Sequence, residues 1–466
     1  MYHSKNFLLT PLQRSIAFFL SAFLTLVSLE TRAEVSADKA AQLKSSLTPL
    51  GAERAGNADG SIPAWDGGLT QVPTGYKGPG THHVDPFASD TPLFIITKDN
   101  LAQYQDRLTP GQIALLKTYP SSFQMPVYPT RRTGAAPQWV YENTFKNASS
   151  ASLAEGGNGF VGAFGGIPFP IPENGVEAVW NHIARYRGTY VERRSAQAAV
   201  EQGGSYSLVS SQDQLLTSFY DQKNSLSNLN NTLFYYMSFA TSPARMAGNG
   251  ALLRETLNQV KEPRQSWIYT PGQRRVRRAP TLAYDTPLEE ASGLRTVDDT
   301  DMYNGSPDRY DWSLLGKKEI YIPYNNYKVT SPDVSYKDLL LPGHINPKYT
   351  RYELHRVWVV EGKLKAGARH IYSRRTLYLD EDSWGAAVVD QYDSRGELWR
   401  VSMAYLKSFY EQPMVWTALD TFHDLQARRY AVQWLDNEES GTADFSKPVP
   451  SKDMFNPASL RRRAPR

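Results

Sequence analysis

Arg274, Arg275, Arg277 and Arg278, grouped around Val276, form the densest charge in the chain. A guanidinium keeps its proton in a protein and favours planar, bidentate partners such as carboxylates and phosphates. The cluster must therefore be solvated, paired with internal acids, or held for an anionic head group or an acidic partner surface. Other chemistry-bearing residues are sparse. Cysteine is absent, which excludes thiol nucleophiles, cysteine-based zinc sites, iron–sulfur clusters and an acylated lipobox. His82-His83 falls in a turn-rich stretch, where adjacent residues seldom share a metal, so a solvated pair is expected. Asp298-Asp299-Thr300-Asp301 and Asp380-Glu381-Asp382 are acidic enough for calcium but lack the loop spacing with a central Gly and a terminal Glu. They are expected as turns or as partners for arginines. Gly157, Gly159 and Gly162 spell G-x-G-x-x-G, yet Pro168, Pro170 and Pro172 follow where a phosphate-cradling helix would have to run. No nucleophile elbow, H-E-x-x-H or P-loop occurs. The reading is a non-enzyme with no catalytic residue, metal or cofactor.

The elements that would position the arginines are strands. Trp267 to Thr270 is an aromatic, β-branched run, Pro271-Gly272 is a turn, and Arg274 to Ala279 is a second run. Strand-like runs fill the chain from Gly188 onward: Tyr190–Ala199, Ser205–Val209, Leu233–Thr241, Leu252–Val260, Lys318–Pro323, Tyr352–Glu361, His370–Asp380, Gly385–Tyr392 and Glu397–Tyr405. Strands without intervening helices imply an antiparallel sheet. Several are apolar on both faces, which fits either a sandwich core or a strongly curved sheet with a cavity. Upstream, Thr109-Pro110-Gly111-Gln112 carries the spacing of a capping box, and a polar helix is expected over residues 137–153. Val176, Val179, Trp180 and Ile183 mark an amphipathic helix that covers the core. From residue 34 to about 94, glycines and prolines dominate around Trp65 and Tyr76, giving an extended segment packed on something.

At the N-terminus, Arg14, the apolar run Ser15 to Leu29 and Thr31-Arg32-Ala33 read as a secretion signal cleaved after Ala33. The run is shorter than the roughly 20 residues that span a bilayer, and no later segment approaches that length. An exported chain with a formal net charge of +4 over 466 residues is not a nucleic-acid binder.

Long motifs then make the chain recognisable. They include Leu47-Thr48-Pro49-Leu50-Gly51-Ala52-Glu53-Arg54-Ala55-Gly56-Asn57, Ile62-Pro63-Ala64-Trp65-Asp66-Gly67-Gly68, Gly165-Gly166-Ile167-Pro168-Phe169-Pro170 and Trp180-Asn181-His182. Tyr269 to Pro280, Asn304 to Trp312 and Tyr352 to Val360 belong with them. The chain closely resembles the Gram-negative exported family known as domain of unknown function 1329, labelled outer-membrane lipoprotein-sorting-protein-like. The resemblance implies a fold similar to the carriers LolA and LolB. That is an α+β half-barrel, one large curved antiparallel sheet over residues 173–466 with covering helices and an apolar cavity. Residues 34–172 would form a loop-rich and helical extension packed on the sheet, after a signal peptide at 1–33. It also implies a periplasmic protein that binds and hands over a lipid or other hydrophobic cargo together with a membrane transport protein; the alternatives are a periplasmic adaptor that docks to an outer- or inner-membrane transport protein without cargo of its own, and a lipid or polyester hydrolase. On this reading Trp267, Tyr269, Trp358, Val360, Trp399, Val401 and Met403 are the expected cavity lining. Arg274, Arg275, Arg277 and Arg278 are the expected contact for an anionic head group or partner.

Overall fold

The computed structural model describes Met1, residues 35–280 and residues 284–464. The expected signal segment and its cleavage after Ala33 therefore lie, Met1 apart, outside the described residues. From Val35 to the C-terminus the chain forms one compact unit.

Its centre is a single 15-stranded sheet. In chain order the strands are β1 (Phe94–Ile96), β2 (Met125–Val127), β3 (Tyr190–Val200), β4 (Tyr206–Leu216), β5 (Thr232–Ser242), β6 (Gly250–Thr256), β7 (Gln265–Thr270) and β8 (Arg275–Arg278). They continue as β9 (Tyr310–Pro323), β10 (Tyr352–Leu364), β11 (Arg374–Asp380), β12 (Ala386–Tyr392), β13 (Leu398–Phe409), β14 (Met414–Asp424) and β15 (Arg429–Leu435). In space the order is β1-β2-β10-β11-β12-β13-β14-β15-β3-β4-β5-β6-β7-β8, with β9 also beside β10. The last strand, β15, thus pairs with β3 and joins an early meander (β3–β8) to a late one (β10–β15). The sheet stays open, its ends at β1 and β8. Pairing is antiparallel except for one parallel bridge, Val127 to Tyr352. The α+β half-barrel reading holds, although the sheet begins in the segment expected to be an extension, through β1 and β2.

The two-sided apolar strands are explained by what covers them. Helix α1 (Pro110–Thr118) lies over β12 and β13 on one face, opened by the expected capping box between Thr109 and Gln112. Gly111 is essential to that fit: a Cβ there would sit 2.2 Å from Asp390 Oδ1 and 2.4 Å from Val401 Cγ2. Helix α2 (Gln138–Ser150) follows, four residues shorter than expected, and α3 (Gly175–Ala184) packs on β9 and β10 with Trp180 and Ile183 buried. The stretch after Gly157 is a short bridge (Phe160–Val161) and bends rather than a helix, so the G-x-G-x-x-G spacing is accidental. A short C-terminal helix, α4 (Pro457–Arg463), lies against β6, β7 and β8.

Candidate functional site

A cavity lies between one face of β3–β7 and the segment 286–304, which crosses that face as a cap. Register places a continuous row across its floor: Arg193 faces Asp213, then Ser238, Ala251, Ile268 and Arg277. A parallel row runs Val191, Leu215, Tyr236, Leu253 and Ser266. The space has two contiguous lobes. One, of about 210 Å³, is mainly apolar, with Val191, Leu215, Phe234, Leu253, Trp416 and Trp434 in its wall. The other, of about 340 Å³, is more polar, with Ser195, Gln197, Ser211, Asn249 and Thr270. Asp213, Tyr236, Ser238, Ala251, Arg295 and Trp434 border both. Trp434 reaches the cavity through a β-bulge between Val432 and Leu435, where its φ is +70°, a left-handed conformation uncommon for a bulky residue.

The charged groups of the wall are held rigidly. Arg193 is buried between the rings of Trp416 and Trp434, 4.9 and 4.5 Å from their centroids, and its Nη2 donates to Thr417 O at 3.2 Å. Burial pulls its proton affinity below the ordinary arginine value. Asp213 accepts from Tyr236 Oη at 2.9 Å and Ser211 Oγ at 3.0 Å, and burial pushes its pKa up. Arg295 donates to Gln197 Oε1 from Nε and Nη2, at 2.9 and 2.7 Å, and to Thr300 Oγ1 at 3.0 Å.

The cap is anchored by the first acidic run. Asp301 pairs with Arg185 at 2.6 Å and with Arg187, all three buried, and also accepts from Trp416 Nε1. Asp298 meets Arg375 at 3.0 Å and His370 at 2.9 Å, while Asp299 accepts from Tyr372 Oη at 3.0 Å. The guanidiniums of Arg375, Arg185 and Arg187 hold Asp298 and Asp301 well below the usual carboxylate range despite their burial. His182 in α3 joins the same anchor: Nε2 reaches Asp301 O at 2.9 Å, and Ala386 N donates to Nδ1. Burial lowers its pKa to about 3. The second run is likewise a set of arginine partners: Arg132 engages Asp382 through Nε and Nη2, and Glu381 accepts from Arg356 at 2.7 Å. His355, Asp380 and Asp382 bring possible metal-ligand atoms within 4.8 Å of one another. Arg132 already occupies Asp382, however, and Glu353 contacts His355 Nε2 at 3.1 Å.

The structure disperses the expected lining. In β7 it is Ser266, Ile268 and Thr270 that face the cavity floor, so Trp267 and Tyr269 turn to the opposite side and pack with Leu460 of α4 and Phe455. Tyr269 also borders the polar lobe. Trp358 and Val360 are on the cavity side of the sheet but in its other half, where Trp358 stacks on Trp384 at 6.1 Å and Val360 is buried. Val401 and Met403 are buried on the α1 side, and Trp399 Nε1 donates to Asp424 Oδ2 at 3.0 Å. Aromatic stripes pointed to core here, as they usually do; the cavity wall instead combines Phe234, Tyr236, Trp416 and Trp434 with small and polar residues and the cap. The histidine pair is also corrected. His83 is buried, 2.9 Å from Glu411 and stacked on Tyr76, and burial lowers its pKa to about 4. Tyr76 and the sheet's own Tyr410 close over a residue that its local sequence leaves looking exposed. Arg274, Arg275, Arg277 and Arg278 are all exposed, and among the described residues none forms an ion pair.

The model of the family "Protein of unknown function (DUF1329)" matches residues 95–461. An uncharacterized protein of Pseudomonas aeruginosa is 51% identical over 438 residues, which is 94% of this chain and 96% of that protein. A solved domain from Vibrio parahaemolyticus named for outer-membrane lipoprotein sorting aligns at 13% identity and a TM-score of 0.42, covering 62% of this chain and 98% of that one. A DUF1329 family protein from Desulfovibrio piger aligns at 13% identity and a TM-score of 0.40, covering 59% and 92%. No helix among the described residues is long and apolar enough to cross a membrane.

Proposed function

The chain belongs to the DUF1329 family, and we propose that it is an exported, periplasmic protein that binds and hands over a lipid or other hydrophobic cargo. The observation that carries this reading is the two-lobed cavity on β3–β7. Its apolar lobe offers Leu215, Phe234, Leu253 and two indoles to a hydrocarbon chain, each buried methylene being worth about 0.8 kcal/mol. Its polar lobe offers hydroxyls and amides to the cargo's polar end. The cap supplies the door: it is fixed at Asp298–Asp301 by buried ion pairs, whereas Leu288, Glu289 and Glu290 lie over the cavity without such anchors among the described residues. In this role the residues bind and release, and no bond is made or broken. Cargo handed onward requires an acceptor, for which a membrane transport protein of the envelope is the proposed partner.

Native mass spectrometry and solvent extraction of the purified protein test the proposal. A reproducible co-purified lipid, released when the cavity is blocked by Ala251→Trp, is the expected result. Protein that carries none, and takes up none from lipid vesicles, sinks it.

A further inference from the structure

We propose that the β8 edge of the sheet and helix α4 together form a docking surface for an anionic lipid bilayer. β8 is the terminal strand, with one edge unpaired. Register divides its arginines between both faces: Arg275 and Arg277 lie opposite Thr270 and Ile268 on the cavity side, and Arg278 lies opposite Trp267 on the other. Arg274 occupies the hairpin turn at φ +51°. Helix α4 packs against this edge by burying Leu460, and it turns Arg461, Arg462 and Arg463 outward. The sequence treats these as two separate basic clusters nearly two hundred residues apart; the fold makes them one surface.

None of these guanidiniums has a carboxylate partner among the described residues. Their polar contacts are slight: Arg462 Nη2 donates to Ser459 Oγ at 2.9 Å, and Arg463 Nη1 approaches Met237 Sδ at 3.5 Å. Arg132, Arg185, Arg187 and Arg375, by contrast, each meet a buried carboxylate. A free edge needs only a charge or two to deter strand addition. The charge here exceeds that need, is spread over two elements, and on the cavity side lies beside Ile268, which is 37% exposed. Arginine forks match phosphate oxygens, and each basic residue near an anionic leaflet adds attraction without requiring a shaped pocket. A bilayer fits better than an acidic protein because Ile268 and Thr270, on the same hairpin, line the cavity's polar lobe; this placement argument alone rests on the cargo reading above. Docking there would set the cavity mouth against the membrane that holds the cargo.

The test is co-sedimentation of the chain beginning at residue 35, a compact unit, with vesicles of phosphatidylglycerol and phosphatidylcholine in equal parts. Vesicles of phosphatidylcholine alone are the control. Binding is expected only with the anionic vesicles, and it should weaken as salt rises. Arg275→Gln with Arg277→Gln should weaken it roughly thirtyfold, and so should Arg461→Gln with Arg462→Gln. The matching Lys pairs should retain most of it, and thermal melts should be unchanged because every altered side chain is exposed. Equal binding to neutral vesicles, or Gln variants that bind as well as the parent, would overturn the proposal. So would binding to polyglutamate but not to vesicles, which would assign the surface to an acidic protein. Vesicle binding without cargo uptake would sink the carrier reading and leave the docking surface standing.

Discussion

The two meanders of one sheet have opposite interiors. Along the cavity-side face of the late meander, register gives Val360, Leu377, Val389, Ser402 and Phe422, and the face is closed by α3 and the Trp358–Trp384 stack. The equivalent line in the early meander is Arg193, Asp213, Ser238, Ala251 and Ile268. The first row is buried throughout, whereas the second lines the open space beneath the cap. In the filled half Arg132, Arg356 and Arg375 each meet a buried carboxylate, whereas Arg193 in the hollow half sits between two indoles with no carboxylate within 4 Å among the described residues. The hollow lies where small and polar side chains run along one face, flanked by Phe234, Trp416 and Trp434.

The largest effects should come from the anchor that ties the cap to the filled half. Asp301→Asn leaves Arg185 and Arg187 buried without a counter-charge and should cost about 3–5 kcal/mol in denaturant unfolding. Truncation should next separate the halves. Leu377→Ala, in full contact, is expected to lose about 2–5 kcal/mol, whereas Leu253→Ala in the cavity wall should lose less than about 1 kcal/mol. Equal losses would erase the distinction. Enlargement should reverse the sense: Gly111→Ala collides with Asp390 and Val401 and should cost about 1–3 kcal/mol, while Ala251→Leu should stay within about 0.5 kcal/mol.

The smallest effects are in pH dependence. His182 is held neutral, with its pKa depressed to about 3 from roughly 6.5 in the unfolded chain, so its contribution is complete above about 6.5 and is lost as pH falls toward 3. Asp420 runs the other way. Burial raises its pKa to about 7, so its contribution is present below about 3.9 and is lost as pH rises through 7. Urea midpoints across this range should show His182→Gln flattening the acid limb and Asp420→Asn flattening the neutral one.

Much of the fold could be read from the sequence because β-branched and aromatic runs broken by turn residues are a direct imprint of strands. Tyr190–Ala199 was expected and Tyr190–Val200 is found; Gly385–Tyr392 became Ala386–Tyr392. β14 escaped because Thr417, Asp420, Thr421 and His423 are buried polar residues that hide its apolar pattern, satisfied by one another (Thr417 with Asp420, His423 with Thr421) and, at His423, by the distant Gly343 O. The capping box at Thr109 was local and therefore visible. The site was not: a cavity depends on which face of β7 a register of one residue selects, and on a cap whose position is fixed by Asp301 meeting Arg185 and Arg187 more than a hundred residues away. The exposed arginines were conspicuous, but their union with α4 needed the tertiary structure.

The claim that the early meander is a cargo site stands or falls on Ala251, which borders both lobes. The decisive measurement is uptake of a fluorescent acyl-chain lipid from vesicles by Ala251→Trp, alongside the parent chain and with a thermal melt of each. Unchanged melting with uptake abolished is the predicted result. Unchanged melting with uptake equal to the parent's would contradict it.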